Sequence, residues 1–427
     1  MKVALVNPAW HYENSIYFGC REAHLPLEFG YAKALLEQAG HEALLLDAQI
    51  EGLDNAALAS RVSAFRPDMI VVTTAPTYLF WRCAPPELRV PREALRAFAH
   101  IPALTVAVGP HGSATPGAAL AKLGADLVIR GECEEVIAAL ADAPERRDIT
   151  GLAWRDEAGD LATCGGLAEA EFINAPALRW PEEWISAHRH HHHQFGIDIP
   201  GPGAEVEASR GCPYACSFCA KIDFRDRYRR RALAPLLEEI DGLIAQGARY
   251  LYFIDEIFLP RADLIEALTA RDVQFGIQTR IDLWKPEQLD RLGAAGCVSI
   301  EAGVESLTPE GRDALAKKCR LDTDQLTELL IRARRTVPFV QANLIRVEGD
   351  EVDNVARWRA ELVKAGVWAN DPVPLFPYPS APDYRQLFGL PDDHAWERAH
   401  AHYLRQFDHF STIQDERPAP LTELERQ

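Results

Sequence analysis

The 427-residue sequence is short of positive charge: 45 Lys and Arg stand against 63 Asp and Glu, a formal net charge of −18. Phosphate backbones are bound by clustered Lys and Arg, so DNA and tRNA are excluded as substrates. No apolar run approaches the ~18 residues needed to cross a bilayer. The opening Met1-Lys2-Val3-Ala4-Leu5-Val6-Asn7-Pro8 starts a strand and not a signal peptide. A cytoplasmic protein with no membrane contact is expected. No Gly-x-Gly-x-x-Gly follows the first strand, which removes a dinucleotide. What remains is a globular composition, 48% hydrophobic and 25% charged. The chain is too long for one ordinary core and fits two domains plus an extension.

Nine cysteines are present, and in the cytoplasm they read as ligands and small core residues rather than disulfides. Cys20, Cys83, Cys133, Cys164, Cys297 and Cys319 show no ligand spacing, so each is expected to pack. The other three lie in Cys212-Pro213-Tyr214-Ala215-Cys216-Ser217-Phe218-Cys219, entered through Ser209-Arg210-Gly211. Three thiolates on so short a loop converge on one point, and thiolates select soft metals or iron–sulfur clusters. Structural zinc normally takes four protein ligands, and only the histidines at 190–193 stand near enough to supply one. The spacing points to a [4Fe–4S] cluster with one open iron; structural zinc is the alternative.

This Cys-x3-Cys-x2-Cys run, with Phe218 ahead of the last Cys, resembles the signature of the radical SAM superfamily. The resemblance implies that Cys212, Cys216 and Cys219 hold the cluster. It implies further that S-adenosylmethionine (SAM) chelates the unique iron and is reductively cleaved to a 5′-deoxyadenosyl radical. A low-potential electron donor such as flavodoxin or ferredoxin then becomes an expected partner.

In the first third, strand-like runs at 2–6, 43–47, 69–73, 103–108 and 126–129 alternate with helical stretches at 26–39, 55–65, 86–100 and 114–123. Five βα repeats predict a parallel, doubly wound, flavodoxin-like sheet, with ligands beyond the strands' carboxyl ends. Turn residues gather there: Asn7-Pro8, Thr73-Thr74-Ala75-Pro76, Gly109-Pro110-His111-Gly112 and Gly131-Glu132. With Pro26-Leu27-Glu28-Phe29-Gly30-Tyr31 and Ala39-Gly40-His41-Glu42, these pieces resemble the cobalamin-binding domain that precedes the barrel in one large radical SAM class. Pro8, Thr74, Gly109, His111, Gly131 and Glu132 are the implied cobalamin contacts. The Asp-x-His-x-x-Gly motif that would supply an axial histidine is absent, so cobalamin is expected base-off, with Tyr78, Trp81 or Arg82 as candidates for its lower face. A flavodoxin-like domain without a cofactor is the alternative.

Residues 149–200 read as a linker with a hairpin, 151–155 turning at Ala158-Gly159-Asp160, and a histidine run, His190-His191-His192-His193. That run is expected in a loop near the cluster; a substrate, cobalamin or metal contact is the other reading. From residue 205, six further βα repeats predict a partial (β/α)6 barrel with function at the strand carboxyl ends. Asp255 and Glu256 end its second strand, Arg280 its third, and the fourth runs into Gly303-Val304-Glu305-Ser306, which resembles the family's Gly-x-Glu-Ser. Asp255, Glu256, Arg280, Glu305 and Ser306 are thus SAM or active-site candidates, with rim salt bridges as the alternative for the charged ones. Arg225, Arg227, Arg229, Arg230 and Arg231 suit either an anionic ligand or a solvated face. Pro377-Tyr378-Pro379-Ser380-Ala381-Pro382 is similar to a loop of cobalamin-dependent members, and Tyr378 and Asp371 are candidates to face substrate.

The expected domains are a cobalamin domain, 1–148; the linker, 149–200; the radical SAM core, 201–384; and a helical extension, 385–427, capping the barrel. The resemblance implies a cobalamin-dependent radical SAM methyltransferase acting on an unactivated carbon of a small molecule. Rearrangement or cyclisation without net methylation, and a non-catalytic cobalamin or iron–sulfur sensor, are the rival readings.

Overall fold

The computed structural model describes residues 1–16, 22–188, 201–406 and 418–426. Cys20 and the His190–His193 run, both given expected roles, lie outside the described residues. The first sheet has seven strands: β1 Lys2–Asn7, β2 Glu42–Asp47, β3 Met69–Thr73, β4 Leu104–Val108, β5 Leu127–Ile129, β6 Leu152–Arg155 and β7 Leu161–Thr163. Their order is β2-β1-β3-β4-β5-β6-β7, and β1 to β5 are parallel. The order reverses between β1 and β3, which sets the switch point of a doubly wound sheet. Alternate residues of β1 enter opposite cores, Val3 and Leu5 in one and Ala4 and Val6 in the other. Helices cover both faces, so these strands read as continuous apolar runs.

Local chemistry sets the helix ends. Asn55–Phe65 starts where the Asp54 carboxylate accepts from the Ala57 amide at 2.8 Å, a side-chain N-cap. A helix not expected from sequence, Glu134–Asp142, follows β5 and buries Val136, Ile137, Leu140 and Ala141. After β4, the helix expected at 114–123 forms as Pro116–Leu123, and a short helix, Pro110–Ala114, stands where a turn was expected. The hairpin expected in the linker forms as β6 and β7, and β6 pairs antiparallel with β5, so the hairpin extends the first sheet.

The second sheet contains β8 Gly203–Val206, then, after the short antiparallel pair β9 Ser209–Arg210 and β10 Arg229–Arg230, β11 Tyr250–Phe253, β12 Gln274–Thr279, β13 Cys297–Glu305, β14 Phe339–Leu344 and β15 Trp368–Ala369. The order β15-β14-β13-β12-β11-β8 is sequential and every pairing is parallel. This is the six-strand partial barrel. One apolar core runs through both domains, from Leu5 and Phe29 through Leu178, Trp180 and Trp184 to Phe253 and Ile300.

The C-terminal extension, with helix Ala395–Gln406, was expected over the barrel mouth. It bridges instead to the first domain. Trp396 Nε1 donates to Thr115 Oγ1 (3.1 Å), and Lys122 pairs with Glu397 (2.6 Å) and Glu425 (2.9 Å). Trp396 and Tyr403 of the same helix also pack on Tyr378 and Phe376 of the loop after β15.

Candidate active site

β9 and β10 pair antiparallel, so the chain between them leaves and returns at one place. Gly211 opens this loop with φ 77°, and a Cβ there would stand 2.1 Å from the Arg227 carbonyl oxygen. Only glycine allows that approach. The loop is tied down by Ser217 N–H to the Leu315 carbonyl (3.0 Å) and by Asp383 N–H to the Ser217 carbonyl (2.9 Å). Cys212, Cys216 and Cys219 are free thiols, each partly buried; Phe218 is half-buried beside them.

Three thiols alone are one ligand short of a closed tetrahedral zinc site. Burial pushes all three thiols up, Cys219 to about 12. Lys221 acts against this at Cys212, Lys317 and Arg280 at Cys216, and Arg82 at Cys219. A ring of cations around three thiols suits an anionic thiolate cluster, so the residues present fit a [4Fe–4S] group with three protein ligands.

The barrel rim places the other candidates around this loop. Arg280 forms a two-pronged pair with Asp282 (2.7 and 3.1 Å), donates to the Lys317 carbonyl (2.7 Å) and lies 4.2 Å over the Tyr214 ring. Glu305 sits at a bulge where the β13–β14 register shifts, at φ 65°, and pairs with Lys317. A left-handed non-glycine residue at a strand end is strain of the kind found at functional sites. Glu256 accepts from Gly211 N–H (2.7 Å) and from Arg225 (3.1 Å), next to Cys212.

Two candidates face elsewhere. Asp255 is buried, accepts from Ala208 N–H (2.8 Å) and the Ser209 hydroxyl, and burial pushes its carboxyl up to about 7. It holds Ala208 and Ser209, which lead into the cysteine loop. Ser306 donates to Asp350 (2.9 Å), and Asp350 also accepts from Leu307 N–H (3.1 Å), a buried turn outside the ring of charges. Lys317 and Asp282 were not singled out from sequence. Their signal is present only in three dimensions, as countercharges to Glu305 and Arg280.

Pro8, Thr74, Gly109 and Gly131 follow the carboxyl ends of β1, β3, β4 and β5 in the first sheet, with His111 in the short helix after β4. Gly109 has φ 135°, and a Cβ there would stand 2.2 Å from Thr74 Oγ1. His111 Nε2–H donates to the Pro85 carbonyl (2.9 Å), and Nδ1 accepts from the Thr74 hydroxyl (3.2 Å). Burial holds its imidazole down at about 3, hence neutral. Both nitrogens are used, so His111 offers no axial ligand. The donor set suits a corrin held by shape and backbone, without an imidazole–cobalt bond. Of the lower-face candidates, Tyr78 and Trp81 pack on Phe224. Arg82 crosses to the barrel, donating to Gln278 Oε1 (2.5 Å) and the Asp255 carbonyl (3.2 Å).

Glu132 does not open onto that edge. It takes both prongs of Arg229 (2.6 and 2.8 Å) and lies 3.5 Å from Arg225 and 3.7 Å from Arg210. Burial alone would raise its carboxyl; Arg210, Arg229 and Arg225 outweigh that and hold it below the usual range. Glu134 pairs with Arg210 (2.7 Å), and Glu207 with Arg210 (3.0 Å) and Arg225. Arg225, Arg229 and Arg231 are buried while Arg227 and Arg230 are exposed. The arginine run is thus neither one solvated face nor an anion site: Arg225 and Arg229 close a buried ionic seam between the domains, and Arg231 pairs with Glu239.

Two family models match the chain: the Radical SAM superfamily over residues 206–358 and the B12 binding domain over residues 21–141. The anaerobic magnesium-protoporphyrin IX monomethyl ester cyclase of Cereibacter sphaeroides is 27% identical over 78% of this chain; the match covers 55% of that cyclase, so the chain spans about half of its length. The hopanoid C-3 methylase of Methylococcus capsulatus is 25% identical, with 88% of this chain and 71% of the methylase covered. The structure of the radical S-adenosylmethionine methyltransferase TsrM from Kitasatospora setae, with cobalamin and a [4Fe–4S] cluster bound, superposes with a TM-score of 0.70. That match has 20% identity and covers 89% of this chain and 73% of that one. No helix among the described residues is long and apolar enough to cross a membrane. The chain thus joins a B12 binding domain to a domain of the Radical SAM superfamily, and it shares its fold with TsrM.

Proposed function

We propose that the chain is a methyltransferase acting on an unactivated carbon of a small metabolite or natural-product precursor. The observation that carries this reading is the buried ionic seam. Arg210, two residues before Cys212, is paired with Glu134 of the first domain, so the cluster loop and the cobalamin edge are held in one fixed relation. When bound, SAM on the cluster supplies a hydrogen-abstracting radical and methylcobalamin supplies the methyl group. The chain's own contribution is position and exclusion of water. In this reading Cys212, Cys216 and Cys219 hold the cluster, Glu256, Arg280 and Glu305 order the SAM rim, and Thr74, Gly109 and Gly131 bound the corrin. Tyr378, packed with Phe376 and Trp396, borders the substrate space. Asp371 is paired with Arg359, which steadies the same loop. A flavodoxin or ferredoxin in the cytoplasm delivers the electron.

The test is anaerobic reconstitution with iron, sulfide, cobalamin and SAM under reducing conditions. Methyl transfer yields S-adenosylhomocysteine beside 5′-deoxyadenosine. The identity with the cyclase favours one second reading, cyclisation or rearrangement, which yields 5′-deoxyadenosine without S-adenosylhomocysteine. Absence of any SAM cleavage would leave only a sensor.

A further inference from the structure

The geometry points to a second metal centre, apart from the cysteine loop, in which His24, His188 and Glu205 hold one divalent first-row ion, zinc foremost. The three residues come from distant parts of the chain. His24 precedes the first helix, Leu27–Gln38, of the B12-binding domain; His188 ends helix Glu182–Ala187; Glu205 lies within β8. They are 7%, 1% and 0% exposed, and one ligand atom from each lies within 4.8 Å of the other two. His24 Nδ1 is 2.8 Å from Glu205 Oε1, and His188 Nε2 is 3.0 Å from Oε2. Zinc bonds of about 2.0–2.1 Å place neighbouring ligand atoms about 3.4 Å apart, so the side chains close on an ion with small adjustments.

Two imidazoles and a carboxylate suit zinc, iron(II) or nickel, whereas magnesium and calcium prefer all-oxygen sets. Leu25 N–H reaches Glu205 Oε2 at 3.3 Å, an outer hydrogen bond that steadies the carboxylate. Three protein ligands leave the fourth position of the ion to a water. The ion would fasten the first domain, the linker and the first barrel strand at one point.

The test is cobalt(II) titration of the chelator-washed, full-length protein, with metal counted by mass spectrometry on the protein as purified. The expected result is one zinc per chain beyond the cluster iron, and one cobalt with visible ligand-field absorption. Glu205→Gln and His24→Gln should each weaken cobalt binding about tenfold or more while cluster iron and cobalamin stay at wild-type content, which also shows that the variants fold. Cobalt captured by exposed histidines would persist in both variants, and that result overturns the site. Should the variants lose cluster and cobalamin as well, the wild-type protein decides. If it shows neither stoichiometric zinc nor a saturable cobalt spectrum, the proposal is overturned and the three residues are a His–Glu–His strut.

Discussion

Glu134 of the B12-binding domain and Arg210 of the radical SAM core stand 2.7 Å apart with both side chains almost wholly buried. Around them, Glu132, Glu207 and Glu256 alternate with Arg225 and Arg229. Removing one partner from such a set strands a buried charge, at a cost of about 3–5 kcal/mol.

Arg229→Met is therefore expected to lower the free energy of urea unfolding by about 3 kcal/mol or more. Adding Glu132→Gln should return part of that loss, because the stranded carboxylate is gone. A double-mutant cycle on the cofactor-free protein checks this. A single transition is expected throughout, since one apolar core spans both domains.

Gly211→Ala forces a Cβ to within 2.1 Å of the Arg227 carbonyl at a left-handed φ. Strain of about 1–3 kcal/mol falls on the loop that presents the three thiols. Iron content after reconstitution should drop several-fold, with cobalamin content unchanged.

Lys317→Met removes the countercharge of Glu305 and the donor to the Gly303 carbonyl (3.0 Å). Cleavage of SAM is expected to fall about tenfold or more, equivalent to at least about 1.4 kcal/mol, with iron content retained. Product counts against iron content separate this from simple cluster loss.

His111 gives a pH prediction with a definite sign. Its folded value is about 3 against an ordinary 6.5, so between those pH values the unfolded chain binds the extra proton. Its contribution to stability is complete above pH 6.5 and is lost as pH falls toward 3, at about 1.4 kcal/mol per unit. Asp47 and Asp255, both raised to about 7 by burial, slope the other way between about 4 and 7. The difference between wild type and His111→Gln, measured from pH 8 to 5, isolates the histidine: the wild type should lose stability faster toward acid.

Elements with a strong period were legible in the sequence. The strand at 69–73 and the helix at 55–65 match the structure residue for residue, and the cysteine loop stood out by spacing alone. The ionic seam was not legible. A buried arginine and a solvated one are the same letter, and only the shared pairing with the distant Glu132 tells Arg225 and Arg229 from Arg227 and Arg230. Helix Glu134–Asp142 was hidden by a short apolar stripe behind two glutamates. Ser306 fits a motif yet closes a turn with Asp350, because the bulge at Gly303–Glu305 turns the chain after β13.

The most direct measurement is electron paramagnetic resonance of the reduced, reconstituted protein with and without SAM, alongside metal analysis of wild type and the Cys212→Ala/Cys216→Ala/Cys219→Ala variant. A three-thiolate cluster with an open iron predicts about four irons per chain, a spectrum that shifts when SAM is added, and loss of both in the triple variant with cobalamin still bound. A single zinc held by the three cysteines, or a cluster signal indifferent to SAM, would contradict it.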